Sequence, residues 1–218
     1  GQSIVVGAEI DIRIFDAQTG DMKGFFFSDE EIRDIVWSPD SSSIGVRSSG
    51  AISVYSIDSG QRTAVYQTET GTLTDFSWSP KEDIIAISEG NEIKVWDPFS
   101  GQPPALLAGV SAGNEVGSLA WSADGNLIAS AGLTIPLQIW NYPDGTLYVS
   151  LSAHNTRLVD LDLSPEADQA ATIGTDGMVL VQEVTDNQLP YMITAPIEVE
   201  ECAYRYIFQE SAEEMISN

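Results

Sequence analysis

The chain has 218 residues, 43% of them hydrophobic, which is enough apolar material for a packed core and argues against intrinsic disorder. Nine Lys and Arg stand against 33 Asp and Glu, a net charge of −24 with a pI near 4.1. So acidic a shell repels phosphate backbones and anionic lipid, so the expected partners are proteins with a basic surface and not nucleic acid.

A single cysteine, Cys202, excludes an internal disulfide and a thiolate metal cluster, and no cofactor is expected. The longest apolar stretch, Ala105–Val110, is too short to cross a bilayer, so direct membrane insertion is not expected. The chain opens at Gly1–Gln2 without a methionine, which fits a segment removed or missing upstream.

In chain order, "SIVVG" (Ser3–Gly7), "DIRIFD" (Asp11–Asp16) and "KGFFF" (Lys23–Phe27) predict three strands. A motif then begins to recur: "VWSP" at Val36–Pro39, "SWSP" at Ser77–Pro80, "AWSA" at Ala120–Ala123 and a faded "DLSP" at Asp162–Pro165. The steps from Trp37 to Trp78, Trp121 and Leu163 are 41, 43 and 42 residues. A second marker follows each copy: "ISVYS" (Ile52–Ser56), "IKVWD" (Ile93–Asp97), "LQIWN" (Leu137–Asn141) and "VLVQE" (Val179–Glu183). An earlier copy of it, "IRIFD" at Ile12–Asp16, has no first motif before it. Turn-forming residues close each second marker, as in "DSGQ" and "PDGT".

A period of 40 to 45 residues carrying four short strands is the signature of stacked sheets. Four-stranded sheets arranged face to face around an axis bury both faces and leave only short edges. In that arrangement the aromatic of "WSP" wedges between sheets, and the proline, which cannot donate to a ladder, ends the strand. The chain therefore reads as an all-β β-propeller of four-stranded antiparallel blades. One domain spans 1–209, with units at 3–27, 34–67, 74–108, 116–151 and 158–194. The first unit lacks its innermost strand. The stretch 197–209, "IEVEECAYRYIFQ", is expected to supply it and close five blades, leaving 210–218 as a tail. The alternative is a portion of a seven-bladed propeller.

The pattern resembles the WD-repeat family of β-propellers, with Trp96–Asp97 and Trp140–Asn141 at the signature dipeptide. Only the first is literal. The Gly-His that opens a typical repeat survives only as Ala153–His154, so the resemblance implies a structural histidine there and little of the family's His–Asp network elsewhere. The "WSPD" and "WSPK" starts are equally similar to bacterial TolB-like propellers. That likeness, three lysines and the acidity favour a location beyond the cytoplasmic membrane of a bacterium.

A search for chemistry finds no catalytic residues and no metal set. One histidine cannot build a His-based metal site, and no phosphate loop, dinucleotide fingerprint or nucleophile elbow occurs. Asp34, Asp75 and Asp160 recur near the starts of inner strands, with Asp162 on the same strand face as Asp160. Such acids are expected to make strand-end hydrogen bonds, with a channel cation and glycan hydrolysis by a carboxylate pair as the alternatives.

The remaining function is contact. The chain is expected to be a non-enzymatic protein–protein interaction scaffold, a subunit or domain of a larger assembly; a carbohydrate-binding or glycan-hydrolysing propeller is the alternative. The loops entering the inner strands and those between second and third strands, "SEGNE" among them, share one face. The contact candidates are Glu30, Glu31, Glu69, Glu115, Leu133, His154 and Arg157. Arg157 and Leu133 suit an energetic anchor, and the acids suit steering of a basic partner.

Overall fold

The structure is a computed structural model that describes residues 2–109, 115–132, 136–151, 154 and 156–184, together with the backbone of Tyr191–Ile193. The expected closing strand 197–209 and the tail 210–218 lie outside the described residues.

Sheet 1 has three strands, β1 (Ser3–Ala8), β2 (Asp11–Asp16) and β3 (Met22–Phe27). The other four sheets have four strands each, all antiparallel meanders in chain order. Sheet 2 holds β4 (Asp34–Trp37), β5 (Ser43–Arg47), β6 (Ala51–Ser56) and β7 (Arg62–Gln67). Sheet 3 holds β8 (Leu73–Trp78), β9 (Ile85–Glu89), β10 (Glu92–Trp96) and β11 (Ala105–Gly109). Sheet 4 holds β12 (Val116–Trp121), β13 (Leu127–Gly132), β14 (Leu137–Asn141) and β15 (Leu147–Leu151). Sheet 5 holds β16 (Leu158–Leu163), β17 (Gln169–Gly174), β18 (Val179–Glu183) and β19 (Tyr191–Ile193). No helix occurs among the described residues, and so none long and apolar enough to cross a membrane.

The fold is all-β and built of propeller-type blades, as the repeat predicts. Its core is a series of seams, one between each pair of consecutive sheets. Ile12 of sheet 1 meets Ile44, Val46 and Tyr55 of sheet 2. Ile52, Val54 and Tyr66 meet Phe76, Trp78, Ile85, Ile87 and Trp96. Ala86 and Ile93 meet Leu119, Trp121, Ile128 and Trp140. Ala129, Ile139 and Val149 meet Leu158, Leu161, Leu163 and Ala170. Strand alternation explains the division: on β6, Ile52 and Val54 face sheet 3 while Tyr55 faces sheet 1. All five tryptophans lie in these seams, and the Trp121 indole N–H crosses one to reach the Ser77 carbonyl at 3.0 Å.

The serine of "WSP" has a task that the sequence reading gave to its neighbours. Ser38 Oγ accepts from the Ser43 N–H at 2.9 Å and donates to Asp40 at 2.7 Å, closing the turn after the inner strand. Ser122 does the same with Leu127 N–H and Asp124, and Ser164 with Gln169 N–H and Asp168. In sheet 4, where Ala123 replaces the proline, the serine and aspartate alone suffice.

Candidate interaction surfaces

Inner strands of sheets 3, 4 and 5 share an irregularity. Register shifts fall between Leu73 and Asp75, Val116 and Ser118, and Leu158 and Asp160. A bulge re-aims the next side chain, here toward the neighbouring inner strands. Asp75 Oδ2 accepts from Leu119 N–H at 2.8 Å, and Asp75 Oδ1 accepts from Phe76 N–H at 2.8 Å. Ser118 Oγ lies 3.2 Å from Asp75 Oδ2 and 3.1 Å from Asp160 Oδ1, and its one proton can serve either. Asp34, Asp160 and Asp162 each accept from the N–H of the following residue. These acids therefore tie strand starts and adjacent inner strands together.

A second constellation lies where sheets 2 and 3 join. Glu89, the last residue of β9, is 1% exposed and its carboxylate is saturated. Oε1 accepts from the Thr68 hydroxyl, from Glu69 N–H at 2.7 Å, Thr70 N–H at 3.1 Å and the Thr70 hydroxyl at 3.3 Å. Oε2 accepts from Tyr66 OH and Lys94 Nζ, each at 2.5 Å. Burial pushes the Glu89 carboxyl up, but Lys94, Thr68, Tyr66 and the Thr70 N–H outweigh it and hold it well below the usual carboxylate range. The Tyr66 phenol is pushed up to about 12 by burial and by the adjacent carboxylate. Lys94 loses from burial and gains more from Glu89, so its ammonium is held above its ordinary range. The sequence reading set Glu89 among exposed loop residues; register opposite Leu73 carries it under the Thr68–Gly71 loop instead.

Sheet 5 anchors its entering loop differently. His154 Nδ1 is 3.2 Å from Asp176 Oδ2, and Nε2 is 3.1 Å from the Thr172 carbonyl and 3.2 Å from its hydroxyl. The His154 side chain is 1% exposed. Both ring nitrogens are spent inside the protein, which removes His154 from the contact candidates. Burial raises the Asp176 carboxyl, but the Met178 N–H and His154 outweigh it and leave it below its ordinary range.

Of the other candidates, Glu30, Glu31, Glu69, Glu115 and Arg157 are exposed on four different loops, and Leu133 lies outside the described residues. The loop before β4 is fixed by Ser28 N–H to the Ile10 carbonyl, Ile32 N–H to the Glu9 carbonyl and an Arg62–Asp29 ion pair.

A surface that the sequence reading missed is the outer face of sheet 1. One face of this sheet packs on sheet 2; the other presents Ile4, Val6, Met22, Phe25 and Phe27, the last three 61%, 45% and 57% exposed. Phe25 and Phe27 pack edge to face at 4.8 Å, with the Arg13 guanidinium 6.0 Å from the Phe25 ring. The signal was in "GFFF": three consecutive phenylalanines on a strand put two on one face. In sheets 2, 3 and 4 the corresponding side carries Tyr55, Trp96 and Trp140 into the preceding sheet.

The family described as "Anaphase-promoting complex subunit 4 WD40 domain" matches residues 76–166. Protein hir1 of Schizosaccharomyces pombe is 23% identical over 146 residues, covering 59% of this chain and 16% of that protein. The B-type cell cycle switch protein ccs52B of Medicago truncatula is 26% identical over 125 residues, covering 55% of this chain and 25% of that protein. Anaphase-promoting complex subunit cdh1 of Dictyostelium discoideum is 29% identical over 102 residues, 44% of this chain and 13% of that protein. The chain thus spans a quarter or less of the length of these relatives.

Proposed function

We propose, from a chain that belongs to the WD-repeat family, that it is a protein-interaction scaffold and works as a subunit or domain of a larger assembly. The observation that carries this reading is the outer face of sheet 1. Five large apolar side chains on one sheet face, two of them phenylalanines packed edge to face, are costly to leave in water and characteristic of a contact surface. Aromatic and arginine side chains dominate the energetics of such contacts, and Phe25, Phe27 and Arg13 supply both. Relatives named as a complex subunit and as cofactors of the APC complex support the same reading. The exposed acids Glu30, Glu31, Glu69 and Glu115 steer a basic partner toward this body and set the rate of encounter.

The test is capture of a binding protein by the full chain, compared with Phe25→Asp/Phe27→Asp and with Glu30→Lys/Glu31→Lys/Glu69→Lys. The expected result is loss of the captured protein with the first variant, and slower, less salt-sensitive association with the second. No dye binding to an apolar surface in the isolated monomer, with Phe25→Asp/Phe27→Asp destabilising it, means the chain covers this face itself and overturns the reading.

A further inference from the structure

The groups around Glu89 have a property beyond holding one side chain. Every donor to its carboxylate comes from other segments: Tyr66, Thr68, Glu69 and Thr70 at the end of β7 and in the following loop, and Lys94 on β10. Two successive backbone N–H groups, Glu69 and Thr70, converge on one oxygen, the geometry of an anion-binding nest. The loop also keeps this shape by its own bonds. Thr68 Oγ1 accepts from Thr70 N–H at 3.2 Å and Gly71 N–H at 3.0 Å, and Gly71 takes the left-handed φ of 78° that ends the turn. Part of the cradle's shape is therefore held by the loop itself, and Glu89 completes it.

Register adds a second observation. Glu89 pairs with Leu73, the first residue of its inner strand; at the matching positions Gly132 pairs with Val116 and Gly174 with Leu158. Neither glycine is among those with positive φ, so the backbone there is ordinary and glycine is a residue this blade accepts.

We propose that Tyr66, Thr68, Glu69, Thr70 and Lys94 form an oxyanion-binding site whose resident ligand is the chain's own Glu89 carboxylate, and that Glu89→Gly opens it to a small free carboxylate. The ligand class follows from the donors: one ammonium, hydroxyls and two N–H groups arranged around two oxygens. This inference does not depend on any partner.

The probe is sodium formate, compared with sodium chloride at equal ionic strength, on the full 218-residue chain. Amide exchange at Glu69 and Thr70 is the readout, because a general change in stability does not single out those two groups. In Glu89→Gly, exchange there accelerates about ten- to a hundredfold, the loss of hydrogen bonds to a charged acceptor. Formate slows it back toward the native rate and raises the melting midpoint; chloride does neither. Adding Lys94→Met abolishes the rescue, and the native chain does not respond. Unchanged exchange in the variant, or equal effects of formate and chloride, overturns the proposal. If Glu89→Gly fails to fold, Glu89→Gln keeps the shape and removes the charge. Faster exchange at the same two amides is then expected, and native rates overturn the site.

Discussion

Sheets 3 and 5 solve one problem with opposite parts. Each must pin the loop that enters its inner strand to the end of its second strand. In sheet 5 the loop supplies the reaching group: His154 extends from it to Thr172 and Asp176, and the strand position beneath is Gly174. A Cβ at Gly174 would sit 2.5 Å from His154 Nδ1, so the glycine is what makes room for the ring. In sheet 3 the strand supplies it: Glu89 extends upward and the loop contributes only donors. The lesson is that repeat geometry conserves a place for an anchor, and chemistry can fill it from either side. The costs differ. A fully buried carboxylate has no fallback in water, whereas Asp176, a quarter exposed, does.

The sharpest way to break the comparison is Glu89→Ala. It leaves two hydroxyl-bearing threonines and Tyr66 without this acceptor and Lys94 with only Glu92, at 3.5 Å, and stability should fall by about 3 kcal/mol. Urea unfolding at pH 7 measures it. The acid limb follows from the same group. Glu89 is held below its ordinary range in the folded state, so its contribution is complete above the unfolded carboxyl value and fades as pH falls below it. Asp176, also held low, loses stability in the same direction. Unfolding free energies of the native chain and Glu89→Ala should stay apart above the ordinary carboxyl range and draw together only as pH falls below it. A gap that stays constant contradicts the assignment of the charge.

Next in size is Gly174→Ala. The added methyl displaces the His154 ring or the loop that carries it, at about 1–3 kcal/mol, the usual cost of overpacking. His154→Ala in that background should then cost little more, since the two changes act on one contact. Additive losses would mean that His154 does not occupy the space above the glycine.

How much of this was legible in the sequence follows from what the repeats share. The strands, the seams and the wedge tryptophans recur in unit after unit, and a shared pattern is readable without coordinates. The turn serine was equally recurrent, at Ser38, Ser79, Ser122 and Ser164, yet its role depends on hydrogen bonds that spacing does not show. Glu89 was hidden for the opposite reason. "SEGNE" has loop composition, and burial of its glutamate arises only from register opposite Leu73 and the overlying loop. A trace was present: aligning the repeats puts a large acid where units 4 and 5 have Gly132 and Gly174, with Lys94 five residues on. The exposed face of sheet 1 was hidden because periodicity says which residues share a face, not whether anything lies against it.

The smallest effect is also the most discriminating about redundancy. Tyr66→Phe removes one donor from a carboxylate that keeps Lys94, the threonines and two N–H groups, and the ring still packs on Trp96 at 5.9 Å. The expected loss is about 1.5 kcal/mol at neutral pH, the low end for a hydrogen bond to a charged acceptor. At alkaline pH the cost of the same substitution should shrink. The Tyr66 value is raised to about 12, so its contribution is intact below the ordinary phenol range and lost as pH climbs through that range toward 12. Native chain therefore weakens there by a route that the phenylalanine variant lacks, and the two stabilities should draw together. Lys94, held above its ordinary range by Glu89 and in part by Tyr66, weakens the native chain more than the variant and so adds to the convergence. If Tyr66→Phe instead costs as much as Glu89→Ala, the donors act as one unit, and sheet 3 depends on its whole cradle and not on the anion alone.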